Sequence, residues 1–234
     1  MCCLGHYLPH FVAHAARLSY DCIWLDLEHR AFSTREVQGL LAFFHLFDID
    51  CMLRPPTREK ARLYRYLEDG ATGLMIPHVS SAEEAHDLAQ SVKFPPLGNR
   101  GIDGAGMDCG FQLAGPDYPE QANRETFLVV QIETPKAVEA ADEIAAVPGV
   151  DGMFVGPGDL SLRIRTEAPE LDLEDAIQTV AAAAQKHGKY WGCPVGADSL
   201  AQRRAQGGQL LAHGGDFMAV IRSLEASRAD FGND

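Results

Sequence analysis

The sequence predicts a single-domain α/β protein built as a parallel (β/α)8 barrel, and three observations carry that prediction. Short apolar or β-branched runs alternate with helical stretches along the whole chain, eight of each. Turn residues separate the pairs, and capping signals open several of the helices. The length of 234 residues suits eight βα units, since parallel strands need helical crossovers and such a barrel typically takes about 250 residues. A doubly wound open sheet is the structural alternative.

Taken in order, the strand-like runs are 1–4, 22–27, 51–53, 73–76, 127–132, 152–155, 190–192 and 210–212. Helix candidates fill the gaps at 9–18, 33–46, 57–69, 81–92, 134–146, 172–186 and 198–206, and a last one at 216–228 closes the series. Ser33 with Glu36, and Ser81 with Glu84, match capping boxes, and Thr134 before Pro135 reads as a cap followed by a first-turn proline. Residues 94–126 break the rhythm: they are too long and too rich in Gly and Pro to be a simple connector, which marks a functional or mobile segment. There is no internal repeat, low-complexity tract or linker, so residues 1–234 form one domain.

Composition narrows the class of function. At 46% hydrophobic and 23% charged the chain is of ordinary globular type. Its formal net charge of -13 repels phosphate backbones and anionic headgroups, which argues against nucleic acid or a membrane surface as partner. No window has the roughly 18 apolar residues of a membrane span, and MCCLGHYLPH does not read as a signal peptide. The expected location is the cytoplasm. Cys2, Cys3, Cys22, Cys51, Cys109 and Cys193 show no CxxC spacing and fit reduced, buried thiols better than disulfides or zinc ligands.

In a barrel, chemistry sits where strands end, so the residues just past each apolar run are the candidates. They are Asp26-Leu27-Glu28-His29-Arg30 after the second run, Arg54-Pro55-Pro56 after the third, Glu133 after the fifth and Gly156-Pro157-Gly158-Asp159 after the sixth. Glu133 and Asp159 are about one βαβ step apart, so neighbouring strands deliver two carboxylates to one rim. A hard divalent cation, Mg²⁺ or Mn²⁺, is the natural occupant between them. The competing reading is that both simply cap the helices that follow.

Asp26 and His29 form a candidate acid/base pair, because a carboxylate partner can set the tautomer and basicity of an imidazole; a mixed-charge surface turn competes with that reading. Arg54, extended before two prolines, is placed to hold a developing oxyanion or, more plainly, to serve as a salt-bridge partner. Backbone amides near Gly158 and Asp159 can point at a carboxylate, or merely turn the chain. The glycines of the 94–126 segment match no nucleotide-binding pattern. His78, at the fourth strand end, has no assigned role.

The segments YDCIWLDLEHRAFS (20–33), LRPP (53–56), GATGLMIPHVSSAEEA (70–85), KFPPLGNRG (93–101) and VQIETPKAVEAADEIAAVPGVDGMFVGPGDLS (130–161) resemble, in order and spacing, the HpcH/HpaI aldolase family of metal-dependent class II aldolases. The resemblance implies a (β/α)8 barrel whose last helix is exchanged between subunits of a homo-oligomer, a hexamer or trimer. It implies Glu133 and Asp159 as metal ligands, with Mg²⁺, Mn²⁺ or Co²⁺ as the ion. Arg54 matches the residue that holds the 2-oxo oxygen, His29 with Asp26 the acid/base pair, Gln131 a residue lining the site, and the amides of Gly158 and Asp159 the contacts to the substrate carboxylate. The chain departs from the family pattern in starting nearly at its first strand and in carrying Ser19 where a glycine is usual.

The implied reaction is reversible cleavage of a 4-hydroxy-2-oxo acid to pyruvate, or a related 2-oxo acid, and an aldehyde, with the 94–126 segment and neighbouring subunits choosing the aldehyde. A carbon–carbon bond-forming synthase or decarboxylase on the same enolate chemistry is the alternative within the family. A non-catalytic ligand-binding barrel is the alternative outside it.

Overall fold

Period-two alternation in the apolar runs sorts their side chains to two sides of one sheet, and a computed structural model, describing residues 1–232, shows the result. The first half comprises β1 (Cys2–Leu4), α1 (Pro9–Arg17), β2 (Cys22–Asp26), α2 (Thr34–Phe47), β3 (Asp50–Arg54), α3 (Lys60–Glu68), β4 (Gly73–Ile76) and α4 (Ala82–Val92). The second half comprises α5 (Tyr118–Glu125), β5 (Phe127–Ile132), α6 (Pro135–Glu139), α7 (Ala141–Ala145), β6 (Gly152–Val155), α8 (Pro157–Glu167), α9 (Leu173–Lys186), β7 (Tyr190–Gly192), α10 (Leu200–Ala205) and α11 (Asp216–Ala229). The seven strands form one parallel sheet in sequence order, β1 to β7.

Ile23, Leu25, Leu53, Val130, Ile132 and Val155 face the helices and join the large core with Leu40, Leu41 and Leu63, each such side chain contributing about 1.5–3 kcal/mol by burial. The alternate positions Met52, Met75, Val129 and Phe154 face inward and fill the concave side of the sheet, with Trp24 against them. Two residues further along β2, β3 and β5 the inward positions turn polar: Asp26, Arg54 and Gln131. An apolar floor thus carries a polar rim.

The eighth expected strand is not one. Residues 211–215 instead make isolated parallel bridges, Ala212 with Pro194 and Gly215 with Cys3. The amide of Ala212 donates to Cys193 O, that of His213 to Met1 O, and that of Cys3 to Gly214 O, so this short segment touches both edges of the sheet. The segment packs closely on β7: a Cβ on Gly192 would lie 1.9 Å from the Leu210 carbonyl oxygen, so glycine is required there.

Sequence reading also missed two helices, and in both cases Gly and Pro misled it. Gly156 and Pro157 read as a sharp turn, whereas Gly156 is the N-cap of α8 and Pro157 its first residue, where a missing N–H costs nothing. Residues 94–126, taken as a loop, contain α5 and a 3-10 turn at Met107–Cys109. That segment links α4 to β5, so it returns to the amino-terminal end of the sheet, and Gly106 lies against the backbone of Glu68 at the end of α3. Its Asn99 carbonyl accepts from Lys60 Nζ at 2.6 Å, at the first residue of α3.

All six cysteines are unpaired, and burial pushes the Cys2 thiol up to about 11 and those of Cys3 and Cys22 up to about 12. Among the described residues no helix is long and apolar enough to cross a membrane. Ser19 takes the left-handed conformation, at φ 59°, that explains the glycine usual there. A Ser19→Gly substitution is expected to stabilise the protein by about 0.5–1 kcal/mol, raising Tm by roughly 1–4 °C. A melting curve unchanged or shifted downward refutes that account.

Candidate active site

Inward residues at the ends of β2 and β3 meet because those strands are neighbours in register, and Gln131 at the end of β5 reaches Arg54 from the far side of β4. Asp26 pairs with Arg54 across β2 and β3, and the fork of the guanidinium closes on the carboxylate: Nε donates to Oδ1 at 2.9 Å and Nη2 lies 2.8 Å from Oδ2. Nη1 reaches Glu28 Oε2 at 3.1 Å and Gln131 Oε1 at 3.4 Å. Below, the guanidinium rests 4.6 Å from the centre of the Trp24 ring. These contacts use Nε and both Nη1 hydrogens, leaving one N–H on Nη2 for an incoming oxygen.

Glu133 follows β5 and is buried. Its Oε2 accepts from the His78 amide at 3.0 Å and lies 3.2 Å from His78 Nδ1. Its Oε1 faces β6, where Gly156 makes the room: a Cβ there would stand 2.4 Å from that oxygen. Burial foremost, and then the like charges of Glu28 and Asp159, push the Glu133 carboxyl above its ordinary range, against the opposing hydrogen bond and charge of His78. Asp159 is exposed in the first turn of α8.

Two carboxylates on adjacent strand ends, the charge of Asp159 adding to the cost of ionising Glu133, fit a hard divalent cation whose open positions take water or substrate oxygens. Among the described residues there is no preformed cluster of three or more His, Cys, Asp or Glu ligands, so Glu133 and Asp159 would hold the ion as a pair. The amides of Gly158 and Asp159 lie in the first turn of α8, which has no side-chain cap, and present free N–H groups that suit a carboxylate.

The expected pairing of Asp26 with His29 is not made between side chains. Asp26 Oδ1 accepts the backbone amides of Glu28 at 3.1 Å and His29 at 3.4 Å, while the exposed His29 imidazole has its Nε2 3.5 Å from Glu28 Oε2. Arg54 has taken the carboxylate because register across two strands outweighs proximity along the chain. Sequence reasoning passed over Glu28 and His78. Both stand just past a strand, Glu28 at the inward period from Asp26, and that spacing was the available signal. A separate apolar cavity of about 270 Å³, lined by Cys22, Met52, Phe127, Val129 and Leu210 among others, opens at the opposite mouth and shares none of these residues.

The profile of the HpcH/HpaI aldolase/citrate lyase family matches residues 1–223. A hydroxypyruvate/pyruvate aldolase of Roseovarius nubinhibens is 33% identical over 237 residues, covering 100% of this chain and 92% of that protein. A 5-keto-4-deoxy-D-glucarate aldolase of Klebsiella pneumoniae subsp. pneumoniae is 34% identical, covering 90% of this chain and 83% of that protein. The crystal structure of an HpcH/HpaI aldolase from Desulfitobacterium hafniense DCB-2 superposes with a TM-score of 0.91 at 30% identity, covering 99% of this chain and 92% of that one. With a family profile spanning nearly its whole length and full-length relatives named for aldol chemistry, the chain belongs to the HpcH/HpaI aldolase/citrate lyase family and is a carbon–carbon lyase.

Proposed function

We propose that the protein is a divalent-metal-dependent aldolase that reversibly cleaves a 4-hydroxy-2-oxo acid to pyruvate, or a related 2-oxo acid, and an aldehyde. The observation that carries this reading is the convergence on one rim of Arg54, Gln131, Glu133 and the uncapped start of α8. Together they offer a hydrogen-bond donor for a 2-oxo oxygen, a carboxylate for a cation and amides for a substrate carboxylate. The relatives named as pyruvate and hydroxypyruvate aldolases support the donor class.

Glu133 and Asp159 hold the divalent ion, Mg²⁺, Mn²⁺ or Co²⁺, which supplies Lewis-acid polarisation of the 2-oxo group when bound. The amides of Gly158 and Asp159 receive the substrate carboxylate and so fix its orientation. Gln131 lines the same pocket and steadies Arg54. His29, exposed beside Glu28, takes the proton of the 4-hydroxyl. As the C3–C4 bond breaks, the aldehyde leaves and the electron pair moves onto the 2-oxo oxygen, where the remaining Arg54 N–H stabilises the growing charge. Protonation at C3 completes pyruvate. Asp26 acts through Arg54, holding its fork in one orientation.

The reading extends to assembly. The helix α11 has no buried residue except Asp216, and Met218, Ile221 and Leu224 are exposed along it, which supports exchange of this helix between subunits of a homo-oligomer, a hexamer or trimer, around complete barrels. Unpaired thiols support a cytoplasmic setting.

A screen of pyruvate and hydroxypyruvate against a panel of aldehydes with Mg²⁺, Mn²⁺ and Co²⁺ tests the reaction. Aldol products that vanish with EDTA support it; absence of turnover with every pair and every ion overturns it, and product formation from oxaloacetate alone favours the synthase or decarboxylase alternative. Because repulsion among Glu28, Glu133 and Asp159 is relieved by a cation, Mn²⁺ at about 100 times its Kd is expected to stabilise the protein by about 2.7 kcal/mol. Calorimetric melts with and without the ion check this, and coincident curves refute it.

A further inference from the structure

We propose that His78 is a positioning residue for the metal-binding carboxylate, gripping Glu133 Oε2 from two sides so that Oε1 stays turned toward the end of β6; this rests on the metal reading above. His78 has φ 58°, a left-handed conformation uncommon for a residue with a side chain and held here by its surroundings. The enforcement is visible. Arg58, from the connection before α3, donates through Nη2 to Pro77 O at 2.6 Å and to His78 O, and its Nη1 is 3.5 Å from Glu84 Oε2.

Held in that turn, the His78 amide points at Glu133 Oε2 at 3.0 Å and the ring folds back so that Nδ1 lies 3.2 Å from the same atom. The far side of the ring, Nε2, is 3.5 Å from Glu28 Oε1. One imidazole therefore stands between two carboxylates that would otherwise repel, and Glu28 passes the connection on to Arg54. Among the described residues no donor reaches Glu133 Oε1, whose neighbour is the bare α-carbon of Gly156. The arrangement separates the two oxygens into one that is held and one that is free to bind. Partners of this kind typically change metal affinity 10- to 100-fold.

The test is Mn²⁺ binding to the full chain, followed by electron paramagnetic resonance, in wild type, His78→Gly and His78→Asn. Glycine accepts the left-handed turn and keeps the backbone amide but removes the ring, so Kd is expected to rise about 10- to 100-fold with an unchanged circular dichroism spectrum. Asparagine tolerates the same turn and places an N–H where Nδ1 stands, so it is expected to recover most of the affinity. Wild-type affinity in His78→Gly, or equal weakness in both variants, overturns the role of His78 while leaving the metal site intact. A wild-type protein that binds no Mn²⁺ overturns the metal reading and this inference with it.

Discussion

Glu133→Gln is expected to cut aldol turnover by about 10³-fold or more and to abolish Mn²⁺ binding, while the metal-free protein melts no lower than wild type. The first half follows from removing one of two ligand charges, because Lewis-acid stabilisation is worth several kcal/mol and each 1.36 kcal/mol is a factor of ten in rate. The second half follows from the environment. Burial and the charges of Glu28 and Asp159 hold the Glu133 carboxyl above its ordinary value, so its ionised form costs the fold stability at neutral pH. Glutamine keeps the shape and a carbonyl oxygen to accept the His78 amide, yet carries no charge. Steady-state kinetics, Mn²⁺ titration and a thermal melt read the three outcomes separately. Turnover within tenfold of wild type, in the presence of EDTA, sinks the assignment.

Substitution of Arg54 is expected to divide stability from catalysis. Arg54→Ala strands Asp26 as a buried carboxylate without its cationic partner, takes the guanidinium from half-buried Glu28, and should cost about 3–5 kcal/mol in urea unfolding. Arg54→Lys returns a positive charge and keeps most of that stability. It cannot return the two-pronged bond to Asp26, the stack on Trp24 and a free N–H at the same time, because an ammonium is a compact point charge on a flexible stem. Loss of one oriented donor at a developing oxyanion is worth about 2.7–4 kcal/mol, so kcat should fall about 10²- to 10³-fold. A lysine variant with wild-type kcat removes Arg54 from the chemistry.

The two variants also mark what the sequence makes legible. Strand runs such as CIWLD and FLVVQI are readable because alternation along them decides which side chains face helices and which face inward, and the strand-end residues Asp26, Arg54, Gln131 and Glu133 follow from that count. Partnership is harder. Asp26 is three residues from His29 and 28 from Arg54, and the sequence offers the near neighbour while the sheet register delivers the far one. Glu28 and His78 stayed unassigned for the same reason, since their contacts cross from one strand end to another and no local spacing encodes them. Helix α8 was hidden by its own start, where Gly and Pro serve equally in a turn and in a first helical turn. The eighth run looked like its predecessors in composition, yet it makes isolated bridges to both edges of the sheet in place of a ladder.

The stitch between Cys3 and residues 214–215 governs how this protein is born. The Gly5 amide donates to Asp216 across 211 residues of chain, so β1 gains one of its two neighbours only after residues 214–216 have left the ribosome. Until then the nascent chain displays that bare edge, and its closure is a long-range event of the slow, aggregation-exposed kind. Holding the growing chain soluble until residues 214–216 emerge is therefore a demand written into the topology itself.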